Sequence, residues 1–138
     1  MPTCGDSLLM EPPGSLLGED DLITCYIRYV LTPGKEAEFE HYARLWIPLI
    51  EKLGGTHHGY FLPGEKPGSA AEFSFPGIGE AGPTDVAIAL FSFPTIAAYE
   101  MYRQKAAKDP GCQEAANVYK ETYCFLKYER SFMRPLFR

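Results

Sequence analysis

His57 and His58 stand next to each other in a run of strand-forming residues, and they are the first side chains whose types suggest chemistry. Successive side chains of a strand point to opposite faces, so the two imidazoles cannot share one metal ion. One of them faces the interior that the strand helps to enclose. There an imidazole serves as a general base near neutral pH or as a ligand contact, the plain alternative being a hydrogen-bonded structural histidine. Glu38 and His41 have the Glu-x-x-His spacing of di-iron bundles. Such sites need that motif twice plus two further carboxylates, and residues 96–107, the second helix, contain no His. A solvated helix face is the expectation, with no metal and no cofactor. Tyr26, Arg28, Lys127, Glu129 and Arg130 are polar or charged residues within two segments that read as neighbouring strands. Charges in a sheet must be paired or reach water. Either Arg28 pairs with Glu129, or a guanidinium and a phenol orient an anionic or aromatic small molecule in a pocket. The candidate pocket residues are therefore Tyr26, Arg28, His57, His58, Tyr60 and Glu129, and no catalytic residue is assigned.

The segments that must position these groups follow from periodicity. Residues 22–31 are rich in β-branched and aromatic side chains and end at Thr32-Pro33-Gly34, which reads as a strand and a turn. Over residues 35–53, Phe39, Tyr42, Ala43, Trp46, Ile50 and Leu53 recur at helical spacing, with glutamates opposite. Pro48 removes one hydrogen bond from this helix, and Gly54-Gly55 marks its end. Residues 56–62 form a second strand, 85–93 a third, 96–107 a second helix, and 122–132 the fourth strand. Asp109-Pro110 starts a short additional helix, with Asp as N-cap and Pro at the first helical position. Residues 1–21 read as a mobile N-terminal extension, and 63–84 as a long Gly/Pro-rich loop insert that Phe73 and Phe75 can pin down. Residues 22–135 then make one α+β domain: a ferredoxin-like βαββαβ order on a four-stranded antiparallel sheet. The two helices share the pattern Ala-x-aromatic-Glu-x-Tyr (Ala37 to Tyr42, Ala97 to Tyr102), in keeping with equivalent places in the two halves.

Two helices cover one face of such a sheet, yet both faces are apolar. In the first strand Ile23, Cys25, Ile27, Tyr29 and Leu31 oppose Leu22, Thr24, Tyr26, Arg28 and Val30. In the fourth, Cys124, Leu126, Tyr128 and Phe132 oppose Tyr123 and Phe125. A bare face of this kind marks an interface, and a homodimer with sheets face to face is the economical solution.

The bulk numbers set the remaining bounds. The chain has 138 residues, enough for a core without staples, and 14% of them are aromatic. The net charge of -5 and the lack of a basic run disfavour nucleic acid and anionic membranes as partners. No apolar run approaches the roughly 20 residues of a membrane helix. Cys4, Cys25, Cys112 and Cys124 show no metal-ligand spacing, and no Lys or Arg precedes Arg28, so a reduced cytoplasm is the expected compartment. No phosphate-binding loop, dinucleotide glycine motif, G-x-S-x-G or HExxH occurs.

The runs Ile23-Thr24-Cys25-Tyr26-Ile27-Arg28-Tyr29, Gly54-Gly55-Thr56-His57-His58-Gly59-Tyr60, Leu90-Phe91-Ser92-Phe93-Pro94 and Tyr128-Glu129-Arg130-Ser131-Phe132 resemble the short bacterial members of the NIPSNAP family. The resemblance spans residues 22–135 and implies a dimeric α+β barrel fold, but it carries no catalytic motif. The N-terminal extension and the insert depart from it. The wider superfamily includes heme-degrading monooxygenases that use a tryptophan like Trp46. Those relatives also need an Asn on the first strand and a His on the second helix, and both are missing here, so Trp46 is assigned to the core. Two functions remain: a small-molecule binder or cofactor-independent oxygenase or isomerase, and a non-catalytic protein-interaction module presenting the insert. The first requires a cavity of about 300 Å³ or more reached by the candidate residues.

Overall fold

A computed structural model describes residues 22–67, 75 and 77–137. The expected N-terminal extension, residues 1–21, and Phe73 lie outside the described residues. The elements run β1 (Ile23–Leu31), α1 (Glu36–Lys52), β2 (Thr56–Phe61), β3 (Val86–Phe93), α2 (Ile96–Ala106), α3 (Pro110–Thr122) and β4 (Phe125–Met133). The strands form one antiparallel sheet in the order β2-β3-β1-β4, so the two most apolar strands sit at its centre.

Alternation decides which side of β1 is covered. Cys25, Ile27, Tyr29 and Leu31 are buried, whereas Thr24, Tyr26, Arg28 and Val30 are half-exposed. Ala87, Ala89, Phe91 and Phe93 of β3 join the buried side. From α1 come Phe39, Ala43 and Ile50, at the helical spacing read in the sequence, and from α2 Tyr99 and Tyr102. Each fully buried large side chain contributes about 1.5–3 kcal/mol, so Phe39, Phe93 and Ile50 anchor this layer.

The helix ends have local causes. The Thr95 side chain accepts from the Ala98 N–H at 3.0 Å and caps α2, and Asp109 accepts from the Cys112 N–H at 3.0 Å and caps α3. Asp109 also receives the Lys52 ammonium at 2.7 Å, tying α3 to the end of α1. That pairing, with the Cys112 N–H, holds the Asp109 carboxyl below its usual pKa. Gly111 lets the two helices approach closely, because a Cβ there would stand 2.8 Å from Leu49.

Three expectations are corrected. The helix after Asp109-Pro110 is 13 residues long, not short, and it runs through Thr122. Thr122, the expected first residue of the fourth strand, instead bonds its hydroxyl back to the Val118 carbonyl at 2.7 Å, and the left-handed Tyr123 (φ 51°) ends the helix. Consequently β4 begins at Phe125. The faces of β4 also differ from strict alternation. Val30 pairs with Lys127 and Leu31 with Phe125, so Leu126 is the extra residue of a bulge. Phe125 and Tyr128 therefore lie on the same, helix-facing side, with ring centroids 6.0 Å apart. Finally, Phe75 is 69% exposed and does not pin the insert.

Candidate ligand cleft between sheet and helices

A cavity of about 70 Å³ lies between the covered sheet face and α1 and α2. Its walls are mostly aromatic: Tyr29 from β1, Tyr42 and Trp46 from α1, Tyr60 from β2 and Tyr102 from α2, with Arg130 of β4 at its rim. Trp46, Tyr102 and Arg130 also line a wider cleft of about 320 Å³, whose other wall is built from α2 and α3. The three shared residues set the small cavity directly beside the larger cleft. The small cavity alone is far below the 300–1,000 Å³ usual for ligand pockets, whereas the wider cleft falls within that range.

Ring packing holds the inner walls. Tyr29 meets Phe39 edge-on at 5.0 Å and Phe125 at 4.9 Å, and it lies 6.3 Å from Tyr60. Burial pushes the phenols of Tyr29, Tyr60 and Tyr102 well above their usual pKa, and that of Tyr42 to about 12. At neutral pH these hydroxyls are therefore protonated and do not act as bases, and those of Tyr29, Tyr42 and Tyr60 interact with one another. The Trp46 indole N–H is buried without a well-aligned hydrogen-bond partner among the described residues. Its interaction with the Tyr42 hydroxyl, which draws that phenol's pKa slightly down, is a weak one.

Of the six candidate residues, Tyr60 alone lines the cavity. His57 faces the same side, stacked on Tyr60 at 5.0 Å and Phe91 at 5.5 Å. Its Nδ1 accepts the Gly59 N–H at 2.9 Å, which leaves the proton on a buried Nε2 that has no partner among the described residues. Burial lowers its pKa to about 4, against an opposing pull from Glu51 and with a small push from His58. Its one lone pair is engaged, so His57 is not a free base. His58 is the extra residue of a bulge opposite β3; it is exposed, and its Nε2 lies 2.9 Å from Ser92 Oγ, which in turn lies 2.7 Å from Thr24 Oγ1. Tyr26, Arg28 and Glu129 occupy the uncovered face, because they alternate with the buried Ile27 and Tyr29 and with their partners Arg130 and Tyr128. Register places Arg28 opposite Glu129, but the expected ion pair is not formed: among the described residues the pairs are Arg44 with Glu40 and Lys52 with Asp109. The expected pocket of about 300 Å³ reached by Tyr26, Arg28 and the histidines is thus replaced by one built from Tyr29, Tyr42, Trp46, Tyr102 and Arg130. The sequence signal for Arg130 was its register with Ile27, legible only once the bulge at Leu126 is known.

On α1 His41 is exposed and Glu38 half-buried near Cys124, and no group of three or more His, Cys, Asp or Glu that can hold a metal occurs among the described residues. Cys25, Cys112 and Cys124 are buried and free. Burial raises the pKa of all three, although Arg130 draws that of Cys25 down in part. No described helix is long and apolar enough to cross a membrane.

An antiparallel sheet in this order with its helices on one side defines a ferredoxin-like α+β protein of the kind that builds dimeric α+β barrels. The chain belongs to the NIPSNAP family, whose profile matches residues 25–137. It is similar to a NIPSNAP family protein with unknown function from Agrobacterium tumefaciens, at 16% identity and a TM-score of 0.61 over 83% of this chain and 88% of that one. An uncharacterized NIPSNAP-like domain protein from Burkholderia xenovorans has 17% identity and a TM-score of 0.59, over 84% and 86%. SnoaB, a cofactor-independent oxygenase from Streptomyces nogalater, shares the fold at 15% identity and a TM-score of 0.51, over 86% and 96%. No curated protein is significantly similar to the chain.

Proposed function

We propose that this NIPSNAP protein is a homodimer that binds a small aromatic molecule in the cleft between its sheet and its helices. The observation that carries this reading is the ring-lined small cavity lying beside the 320 Å³ cleft, with Trp46, Tyr102 and Arg130 lining both. Ring-lined clefts with a few placed polar groups are the usual form of small-molecule sites. The homodimer is supported by the uncovered sheet face, where Val86, Ile88 and Leu90 are only half-buried beside Tyr26 and Val30. Free thiols at Cys25, Cys112 and Cys124 accord with a cytoplasmic setting.

The described lining offers protonated phenols and two guanidinium groups, Arg103 and Arg130, and no free base. A cofactor-independent oxygenase chemistry, such as that of SnoaB, or an isomerase chemistry therefore fits only a substrate that arrives already ionised. Binding is the function that the cleft supports best. The interaction-module reading rested on the insert, of which residues 68–74 and 76 lie outside the described residues.

A thermal-shift screen of the purified protein against aromatic, quinone, heme and fatty-acid compounds tests the reading. A ligand present at a hundredfold its Kd adds about 2.7 kcal/mol of stability, roughly 8–12 °C in Tm for a domain of this size. Stabilisation by aromatic compounds is the expected result. A screen in which no aromatic compound raises the Tm contradicts it.

A further inference from the structure

The whole chain carries a net charge of -5, yet the cleft has the opposite character. Two arginines, Arg103 of α2 and Arg130 of β4, line its outer part, and no Asp or Glu lines either part. Neither guanidinium is ion-paired with a described carboxylate. Their contacts are neutral: Arg103 Nη1 donates to the Tyr99 hydroxyl at 3.1 Å, and Arg130 lies 5.4 Å from the Tyr128 ring centroid and against the Cys25 thiol. In a net acidic protein, two positive charges converging on one concavity without a counter-ion leave a local positive potential there.

We propose that the cleft selects a small aromatic carboxylate, with the carboxylate on Arg130 at the neck and the ring between Trp46 and Tyr102. This inference rests on the binding function proposed above and names its ligand class. The planar guanidinium fork matches a carboxylate's two oxygens, and such charge-assisted bonds are about twice as strong as neutral ones. Volume sets the orientation. An inner cavity of about 70 Å³ is too small for a ring with its substituents, so the ring lies in the outer cleft and only its leading edge reaches inward. Ala106, Ala107 and Ala116 leave room for it there. The Tyr102 phenol, which lines both parts, suits a second acceptor oxygen on the same ring.

Trp46 is the only tryptophan in the chain and touches both parts of the cleft, so its single indole N–H resonance reports occupancy directly. The test titrates ¹⁵N-labelled full-length protein with aromatic acids, from phenylacetate to 2-naphthoate, each matched with its primary amide. The acids are expected to shift the indole signal with about tenfold or better affinity over their amides, as one charged hydrogen-bond pair requires. Arg130→Gln is expected to erase that ratio and Arg130→Lys, which keeps the charge but not the fork, to restore only part of it. If acids and amides bind alike in the wild-type protein, the charge selection is wrong and the aromatic cleft stands. If no compound moves the indole signal, the cleft reading and this inference fall together. The acid-to-amide ratio of the wild type needs no variant, so a poorly folding substitution does not blunt the test.

Discussion

Acid should weaken this fold through one imidazole, and His57→Phe should remove that weakness. His57 is stacked between Tyr60 and Phe91, accepts the Gly59 N–H on Nδ1 and buries its Nε2. Burial lowers its pKa from 6.5 to about 4. Between those values the unfolded chain takes up a proton that the folded chain refuses, so stability rises with pH across the window and is fully present above about pH 6.5. At the linkage limit the shift corresponds to about 3 kcal/mol. The ring is only partly buried and Glu51 opposes the effect, so solvent screening reduces the expectation to about 1–2 kcal/mol. Phenylalanine keeps the stack and cannot titrate. Urea unfolding at pH 7, 5.5 and 4.5 should show the wild type losing about 1–2 kcal/mol more than His57→Phe between the first and last conditions. Contributions from groups common to the two proteins cancel in the difference. Parallel losses in the two proteins would refute the reasoning, and so would an NMR titration giving His57 an ordinary pKa.

Gly59 has φ +111° beside open space, the nearest atom to an added Cβ being 4.0 Å away, so Gly59→Ala should cost about 1–3 kcal/mol through backbone strain alone in chemical denaturation. Thr95→Ala removes the α2 cap and should cost about 1 kcal/mol in the same assay. Leu90→Asp on the uncovered face should convert a particle of twice 15.4 kDa into one of 15.4 kDa by light scattering; an unchanged mass would place the interface elsewhere.

The architecture was legible because its determinants are local and periodic. Cys25, Ile27, Tyr29 and Leu31 alternate as a half-covered strand must, and Phe39, Ala43 and Ile50 repeat at helical spacing. Proline and aspartate at 109–110 announced α3, but its length depended on Thr122 finding the Val118 carbonyl, a choice that strand propensity opposes. The site was harder to read because it depends on register. Two bulges, at His58 and at Leu126, each shift the alternation by one residue. The first brings Tyr60 to the same side as His57, and the second brings Arg130 to the same side as Tyr29 while Arg28 and Glu129 face away. A charged residue in a strand announces that it needs a partner or water, and the face it occupies is fixed by neighbours distant in sequence. Trp46 was correctly assigned to packing, since it borders the core, but its second surface is exposed to the cleft.

The location of the binding site is tested most directly by filling the outer cleft. Ala116 of α3 lines it, and Ala116→Phe places a ring where the ligand's ring is expected, whereas Ile88→Thr alters only the uncovered face of β3. Isothermal titration with an aromatic compound that stabilises the wild-type protein should show at least tenfold weaker binding to Ala116→Phe and unchanged binding to Ile88→Thr. Full affinity in Ala116→Phe, with loss in Ile88→Thr, would move the ligand to the opposite side of the sheet and contradict the account.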